Sequence, residues 1–386
     1  MAEMGLYIHV PFCQRKCRYC DFYSRPPGDG ELDRFAAAAA REAERRSEAV
    51  RLSGQASTVP PVETVYVGGG TPSLLGARRL AGVLDAVRRQ FEVSAGAEIT
   101  VEANPLDVTS RWAEAALEAG FNRLSLGVQS VIEEDLRFLG RLHHAPDGPR
   151  SVEIAREAGF REIGIDLMYG LPRQRPDALL ERVELAVEAC RPTHLSGYQL
   201  TYHQGTPLWD ELQSGRYRRA SQDEEHGLLV ALHGQLAELG YPAYEVSNFS
   251  LGDEHRSRHN SNYWRHVPYV GLGPGAHSFQ PPVRSWNAAC LEEYLAALEG
   301  GGLPPGESEE LSAEQLASEM VMLSLRTTDG LDLAEYRERF GRDFAAINGD
   351  AMRSAVERGL LTESGSQLRP TLDGLAVADR LAVDFV

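Results

Sequence analysis

Short apolar segments alternate six times with amphipathic segments between Leu6 and Leu239, and this alternation restricts the possible folds more than any other feature. Strand–helix units in series favour a parallel sheet joined by right-handed crossovers. The predicted strands are Leu6–Val10, Thr64–Val67, Glu98–Glu102, Arg123–Val128, Glu162–Met168 and His194–Leu200. The predicted helices are Glu31–Val50, Ala77–Phe91, Ser110–Ala119, Gly148–Ala158, Pro176–Ala189 and Gln222–Leu239. We expect an α/β fold, which six such units can form as an incomplete barrel or as an open doubly wound sheet.

The C-terminal part of the chain predicts a second, smaller unit. Pro304–Glu310 (PPGESEE) is predicted to be a linker. Ser312 and Gln315 form a capping box that predicts the start of a helix, and two further helices follow. Leu360–Thr362 and Leu368–Pro370 have the pattern of a small hairpin. Three helices and a hairpin resemble a winged helix.

The charge and hydropathy of the chain exclude several classes of protein. The net charge of −17 and the pI near 5.2 argue against a nucleic-acid partner, because phosphate binding requires clustered positive charge. No apolar stretch approaches the ~18–20 residues of a membrane span. The N-terminus lacks a secretory pattern, so we expect a cytoplasmic protein without an integral membrane segment. Ser24–Gly30 and Ser53–Pro61 are predicted loops.

Five cysteines in 386 residues are too few for a disulfide scaffold. Cys13, Cys17 and Cys20 lie within eight residues, a cluster that indicates metal or redox chemistry in a reducing compartment. Cys190 and Cys290 stand alone and are expected to be small packed side chains.

The spacing of the clustered cysteines allows one loop to reach three corners of an iron–sulfur cube. With only three thiolates nearby, one iron keeps an open position, as open catalytic metal sites do. The alternatives are a zinc site or buried thiols, although no fourth ligand stands at zinc-finger spacing. Arg15, Lys16 and Arg18 are expected to lower the pKa of the thiols.

The other unusual residues follow the predicted strands, where active sites of parallel α/β barrels collect. The second strand runs into the triple glycine Gly68–Gly70, whose missing Cβ atoms allow close approach to a polar ligand. The acceptors Glu102, Gln129 and Asp166 end or interrupt later strands. Each of these features alone is compatible with a structural turn or cap. Together they are suited to an ammonium group and ribose hydroxyls.

These motifs resemble those of a known superfamily. The spacing CxxxCxxC, the GGGTP turn and the (βα)6 pattern are similar to radical S-adenosylmethionine (SAM) proteins. The stretches YIHVPFC, GGGTPS, EANP, GVQS, IDLMYGLP and GLGPGAHS resemble the coproporphyrinogen dehydrogenase, or HemN-like, family over nearly the whole chain. The resemblance implies an incomplete, TIM-like (βα)6 barrel with a C-terminal helical, winged-helix-like domain.

The resemblance also implies the cofactors and their sites. Cys13, Cys17 and Cys20 would hold a [4Fe-4S] cluster whose fourth iron is chelated by the amino and carboxylate groups of SAM. Carried over by motif, the residues of the SAM pocket would be Tyr7, Gly70, Thr71, Glu102, Gln129, Arg141, Asp166, Thr201 and Ala276.

Two departures separate the chain from the dehydrogenases. Phe22 stands where the dehydrogenase pattern CxxxCxxCxC has its fourth cysteine, and the first cysteine comes at position 13, without the long N-terminal extension of those enzymes. Together with HNxxYW at His259–Trp264, these departures resemble HemW-type heme chaperones.

In that branch the HNxxYW motif is associated with heme, and the resemblance implies His259 as the contact. A neutral imidazole suits heme iron, and Tyr263 and Trp264 can cover a flat macrocycle. The alternative is that His259 and Asn260 satisfy a loop while the two aromatic rings pack in a core.

The expected function is therefore heme binding and transfer to acceptor hemoproteins, respiratory enzymes among them. The alternative is an enzyme that decarboxylates coproporphyrinogen III oxidatively, without oxygen, through a 5′-deoxyadenosyl radical. The predicted domains are a radical SAM barrel at 1–240, an extension carrying HNxxYW and GLGPGAHS at 241–303, and the winged-helix-like domain at 304–386.

Overall fold

A computed structural model describes residues 3–52 and 60–385, so the loop predicted at Ser53–Pro61 lies outside the described residues as far as position 59. The strands are β1 (Met4–Val10), β2 (Val62–Gly69), β3 (Val93–Ala103), β4 (Arg123–Gln129), β5 (Glu162–Tyr169), β6 (His194–Gln199), β7 (Asn248–Ser250), β8 (Tyr269–Leu272), β9 (His277–Gln280), β10 (Val283–Asn287), β11 (Gly306–Glu310), β12 (Leu331–Asp332), β13 (Leu361–Ser364) and β14 (Gln367–Pro370).

The helices cover the sheet and build the C-terminal unit. They are α1 (Glu31–Leu52), α2 (Ala77–Gln90), α3 (Ser110–Ala119), α4 (Glu133–Leu139), α5 (Asp147–Ala158), α6 (Pro176–Cys190), α7 (Pro207–Gln213), α8 (Gln222–Glu238), α9 (Arg258–Trp264), α10 (Leu291–Glu299), α11 (Ala313–Ser324), α12 (Leu333–Phe340), α13 (Phe344–Glu357), α14 (Leu372–Ala376) and α15 (Ala378–Val383). Among the described residues, no helix combines the length and the apolar character needed to cross a membrane.

The first six strands form a parallel sheet in sequence order, as the alternation predicts. On one side β7 adds antiparallel to β6, and on the other side β8 adds parallel to β1, followed by β9, β10 and β11. The sheet therefore runs from β11 to β7 as an incomplete barrel, which confirms the predicted fold class.

The strands expose one face to the helices and the other to the barrel interior. Because successive side chains of a strand point to opposite faces, Leu6, Ile8 and Val10 of β1 pack in the apolar core. Tyr7 and His9 of the same strand consequently face the interior. The polar residues of the site therefore belong to the interior face and to the loops that follow the strands.

The C-terminal unit has its own core and its own small sheet. Helices α11, α12 and α13 pack with the antiparallel order β12-β14-β13 around a separate apolar cluster that includes Val321, Tyr336, Phe344 and Leu368. The helix predicted after Ser312 begins at the expected capping box. This arrangement agrees with the predicted winged-helix-like unit.

The linker predicted at Pro304–Glu310 is wrong. Gly306–Glu310 forms the edge strand β11, which pairs antiparallel with β10 so that Trp286 faces Glu307 and Arg284 faces Glu309. All five residues of the strand are exposed, so they carry none of the apolar alternation that identifies a strand in a sequence. Acidic side chains at such an edge disfavour pairing with another chain.

Candidate functional site

A cavity of about 470 Å³ lies at the carboxyl ends of the parallel strands. Loops that leave adjacent parallel strands meet at this end of a barrel, which explains why residues far apart in sequence converge there. The predicted site residues that line the cavity are Cys13, Cys17, Cys20, Gly70, Thr71, Glu102, Gln129, Arg141, Asp166 and Thr201. The structure thus brings most of the predicted cluster and SAM residues into one site.

The cysteine loop follows β1 directly, and donors from two other loops reach its sulfur atoms. The hydroxyl of Thr71 donates to Cys13 Sγ over 3.3 Å. The guanidinium of Arg141 donates to Cys17 Sγ over 3.3 Å. Hydrogen bonds of this kind stabilise the thiolate form that binds iron.

Two basic residues within the cysteine loop, Arg15 and Arg18, have a structural role that the sequence did not indicate. Arg15 donates to the carbonyl oxygen of Gly140 over 2.8 Å, and Arg18 donates to that of Phe138 over 2.9 Å. Burial and the neighbouring thiols raise the pKa of Cys20 to about 11, against the charge of Lys16, which lowers it. Lys16 thus acts in the expected direction but does not outweigh burial, while Arg15 and Arg18 fasten the loop to the C-terminal end of α4 and to the residue that follows it.

The triple glycine forms a tight turn between β2 and the cavity. The backbone N–H of Gly69 donates to Glu102 Oε2 over 3.1 Å, and the hydroxyl of Tyr66 donates to Glu102 Oε1 over 2.7 Å. A Cβ atom at Gly70 would lie 2.5 Å from the carbonyl oxygen of Phe12, closer than real Cβ contacts allow. The turn therefore packs on the backbone that leads into Cys13.

Two acidic side chains in the cavity titrate near neutral pH. Burial raises the pKa of Glu102 to about 7, and the charge of Asp166 contributes to this increase. Burial likewise raises the pKa of Asp166 to about 6, against the hydrogen bonds from Ser196 and Ser125. The two carboxylates can therefore accept hydrogen bonds from a polar ligand and gain most when that ligand carries a positive charge.

Gln129 and Arg141 present unpaired polar atoms at the same cavity. Arg141 also donates to Asn104 Oδ1 over 2.7 Å and to the carbonyl oxygen of Gly127 over 2.8 Å. Its Nε and the Oε1 of Gln129 are buried without a hydrogen-bond partner among the described residues. Buried polar atoms are usually paired, so these atoms fit a site that takes a polar cofactor.

The donor set fits an iron–sulfur cluster with an open position. Three thiols, two of them hydrogen-bonded through sulfur, face one cavity whose remaining polar atoms include both acceptors and donors. In the described part of the chain, no three Cys, His, Asp or Glu side chains converge as closely as a single metal ion requires. A four-iron cube instead takes its thiolates at separate corners.

Three predicted site residues do not line the cavity: Tyr7, Ala276 and His259. The Tyr7 hydroxyl lies 3.1 Å from His9 Nδ1 in the barrel interior. Ala276 is buried in the turn before β9, where its backbone N–H donates to the carbonyl oxygen of Gly273. The structure thus leaves these residues outside the cluster of predicted contacts.

His259 lies near the opposite, amino end of the strands and is 1% exposed. Its Nδ1 is 2.8 Å from Thr64 Oγ1, near the start of β2, and its Nε2 is 2.9 Å from the hydroxyl of Tyr263. Its backbone N–H donates to Glu98 Oε1. Burial lowers the pKa of His259 to about 3, so the ring is neutral at pH 7. In this conformation His259 is a packed side chain with both ring nitrogens engaged.

The other named residues of HNxxYW face a second cavity, of about 330 Å³. Its lining residues are Tyr198, Glu245, Val246, Ser247, Asn248, Asn260, Tyr263, Trp264 and Arg326. Tyr198 also lines the cavity of the cysteines, so this phenol belongs to the walls of both.

Sequence reasoning missed Tyr198 and assigned His203 no partner. His203 lies at the rim of the cysteine cavity, with Nδ1 3.1 Å from the Asp21 carboxylate beside Cys20. Tyr198 stands two residues after Ser196 on β6, and period-two alternation places both on the interior face. This alternation could have predicted from the sequence that Tyr198 faces the barrel interior. No pattern in the sequence around His203 indicates its contact with Asp21.

Two known family models match different parts of the chain. A profile of the Radical SAM superfamily matches residues 7–186, and one of the HemN C-terminal domain matches residues 311–377. The structure is similar to that of coproporphyrinogen III oxidase (HemN) from Escherichia coli, a radical SAM enzyme, with a TM-score of 0.83 and 22% sequence identity. The match covers 100% of this chain and 90% of the HemN chain. This similarity shows a shared fold.

Closer sequence relatives extend over nearly the full length. The heme chaperone HemW of Mycobacterium tuberculosis is 36% identical over 379 residues, covering 97% of this chain and 93% of the relative. The heme chaperone HemW of Bacillus subtilis is 32% identical over 381 residues, covering 98% of each. The chain therefore belongs to the HemW family, within the radical SAM superfamily.

Proposed function

We propose that this protein is a cytoplasmic heme chaperone that binds heme and transfers it to acceptor hemoproteins. One observation carries the proposal: identity of 36% to a protein named as the heme chaperone HemW extends over 97% of the chain. The relationship therefore includes the barrel, the segment with HNxxYW and the C-terminal unit. Acceptors among the respiratory enzymes are part of the same proposal.

The resident cofactors proposed for the barrel are a [4Fe-4S] cluster on Cys13, Cys17 and Cys20 and a SAM molecule on the open iron. When bound, this pair supplies one-electron reduction chemistry. Thr71 and Arg141 would hold the thiolates through the hydrogen bonds they already make to sulfur. Polar groups of SAM would meet the side chains of Glu102, Gln129 and Asp166 and the backbone at Gly70; Thr201 would lie at the rim.

His259 is the proposed heme ligand, and its surroundings define what must change for it to bind iron. The neutral ring already has the form that iron requires. Its Nε2 is covered by the Tyr263 hydroxyl, so ligation at this nitrogen requires that the hydroxyl move away. Heme binding by His259 through this nitrogen is therefore coupled to a movement of the Tyr263 side chain.

The oxidative decarboxylation of coproporphyrinogen III is not favoured by any comparable observation. The 22% identity to HemN supports the fold alone. At the position of the fourth cysteine in the dehydrogenase pattern, Phe22 is 62% exposed at the rim of the cavity. We therefore retain the carrier as the proposed function.

Two parallel assays on anaerobically reconstituted protein test the proposal. The first follows the heme absorbance band during titration of the wild type and of His259→Ala. The second follows coproporphyrinogen consumption with SAM and a reductant. We expect stoichiometric heme capture without turnover, and a loss of His-ligated heme in His259→Ala. Steady production of protoporphyrinogen would overturn the proposal, and unchanged binding by the variant would exclude His259 as the ligand.

A further inference from the structure

The second cavity lies between β6, the segment 245–248 and α9. Helix α9 lies in the part of the chain that runs from β7, at one side of the incomplete barrel, to β8 at the other side. Two of its walls come from distant parts of the chain and contact each other. The Cζ atom of Arg326, which follows α11, is 5.8 Å from the ring centroid of Trp264 in α9. A cation and a flat aromatic face therefore stand together at this cavity.

Three polar atoms of the cavity walls are buried and unpaired. They are Oδ1 of Asn248, Nε1 of Trp264 and Nε of Arg326, none of which has a hydrogen-bond partner within residues 3–52 and 60–385. Asn248 is only 5% exposed as a residue. Because buried polar atoms are rarely left unpaired in native structures, this concentration indicates a missing ligand with both donor and acceptor contacts.

The charge of Arg326 is only partly neutralised within the protein. Its Nη2 lies 2.8 Å from the Asp379 carboxylate, whose side chain is 75% exposed. Ion pairs with such exposed partners contribute little and are readily exchanged. The other acid of the cavity, Glu245, is 1% exposed; burial raises its pKa to about 7 against the charge of Arg326, so it is only about half ionised at neutral pH. A ligand carboxylate can therefore be accepted beside Arg326.

We propose that this cavity binds the carboxylate-bearing edge of heme, with Arg326 as the contact of a propionate and Trp264 against the macrocycle. This inference rests on the proposed function and names the residues that recognise the cargo. A volume of about 330 Å³ is at the lower limit of small-molecule pockets, which suits one edge of the macrocycle rather than the whole of it. Guanidinium groups recognise carboxylates through paired hydrogen bonds.

Titration of the full-length protein with ferric heme and with its dimethyl ester tests the inference, because the ester lacks the carboxylates. In the wild type we expect heme to bind roughly ten-fold more tightly than the ester. Arg326→Gln should weaken heme binding by a similar factor and leave the ester unchanged. Asp379→Asn removes the carboxylate partner of the same ion pair and leaves the guanidinium of Arg326 in place. This variant should therefore bind heme at least as tightly as the wild type.

The outcomes separate this inference from the proposed function. Absence of heme binding by the wild type would contradict both. Heme binding with equal affinity for the ester would overturn only the role of Arg326, and this comparison needs no variant. An equal weakening in Arg326→Gln and Asp379→Asn would show that the ion pair acts by holding the C-terminal unit in shape rather than by supplying a guanidinium to heme, which would also overturn the inference.

Discussion

The hydroxyl of Tyr263 lies 2.9 Å from Nε2 of His259, one helical turn away in α9. Since Thr64 Oγ1 is 2.8 Å from Nδ1, the two ring nitrogens are engaged by two hydroxyl groups. The neutral ring carries one proton and one lone pair, and each hydroxyl can donate or accept. His259 is thus neutral, as iron binding requires, but its Nε2 is covered by the hydroxyl of Tyr263 in the same motif.

Replacement of Tyr263 by phenylalanine should remove the hydrogen-bond partner of Nε2 while retaining the aromatic ring, so that the tautomer with its lone pair on Nε2 can bind iron. We expect Tyr263→Phe to form His-ligated heme several-fold faster than the wild type, as measured by stopped-flow absorbance. The loss of a buried hydrogen bond should lower the free energy of unfolding by about 1 kcal/mol. Tyr269→Phe is the matched control, because the Tyr269 ring contacts that of Tyr263 without bonding His259. A loss of heme as complete as in His259→Ala would contradict this view of the pair.

Arg141 should tune the proposed cluster through its contact with Cys17 Sγ. Removal of a positive charge and a hydrogen bond at sulfur disfavours the reduced, more negative cluster. We therefore expect Arg141→Gln to shift the reduction potential to a more negative value in a spectroscopic redox titration. Asn104 and the carbonyl oxygen of Gly127 also lose their donor, so SAM binding should weaken in the same variant.

The control for this effect is Arg15→Gln in the cysteine loop. Arg15 donates to the carbonyl oxygens of Gly140 and Arg141 rather than to a sulfur atom. Its loss should loosen the loop and lower the iron content slightly, with little change in the potential of the cluster that does form. Equal shifts in the two arginine variants would mean that general charge, and not the hydrogen bond to Cys17, sets the potential.

The barrel was predictable from the sequence because its strands carry a local signal. In β1, apolar residues on the core face alternate with Tyr7 and His9, and the helices between strands show the helical period. The strand β11 has no such signal, since Glu307, Glu309 and the rest of the strand are exposed at an edge. Its position is fixed by pairing with β10, which the local pattern of Gly306–Glu310 cannot show.

The site residues that lie on or directly after predicted strands could be predicted from the sequence. The contacts between segments that are distant in the sequence could not. Glu102 and Asp166 follow from their strands, and both line the expected cavity. The partners of His259 do not, because Thr64 is 195 positions away in the sequence. The HNxxYW motif identified His259, but only the fold shows that the His259 ring is buried. Only the fold also shows that Trp264 lines the second cavity rather than the cavity of the cysteines.

The buried carboxyl of Glu245 should make stability depend on pH. Burial raises its pKa from the ordinary 4.5 to about 7 in the folded state, so the folded protein binds this proton more tightly than the unfolded chain does. The free energy of unfolding should consequently decrease as the pH rises from about 4.5 to 7 and level off above. Glu245→Gln stays neutral and can still accept from Asn248 Nδ2 and the N–H of Ser247.

Urea unfolding of the wild type and of Glu245→Gln across this pH range measures the effect. The variant should gain about 1–3 kcal/mol relative to the wild type between pH 4.5 and pH 8. Glu238→Gln, at an exposed position of α8, is the control and should follow the wild type. A constant difference between wild type and Glu245→Gln at all pH values would show that this carboxyl does not titrate in the folded protein as proposed.

Gly70 is required by the space around it. A Cβ atom there would lie 2.5 Å from the carbonyl oxygen of Phe12 and 3.0 Å from that of Val10, and both of these atoms belong to the backbone. Gly70→Ala must therefore push the glycine turn away from the segment that leads into Cys13. We expect lower iron content after reconstitution and at least a ten-fold loss of SAM affinity, measured by iron analysis and equilibrium binding. Gly82→Ala in α2 is the control: its added methyl group meets no atom within 4 Å, and alanine favours a helix by up to about 1 kcal/mol. That variant should retain iron and SAM and be slightly more stable, whereas wild-type SAM binding by Gly70→Ala would show that the turn does not set the cofactor site.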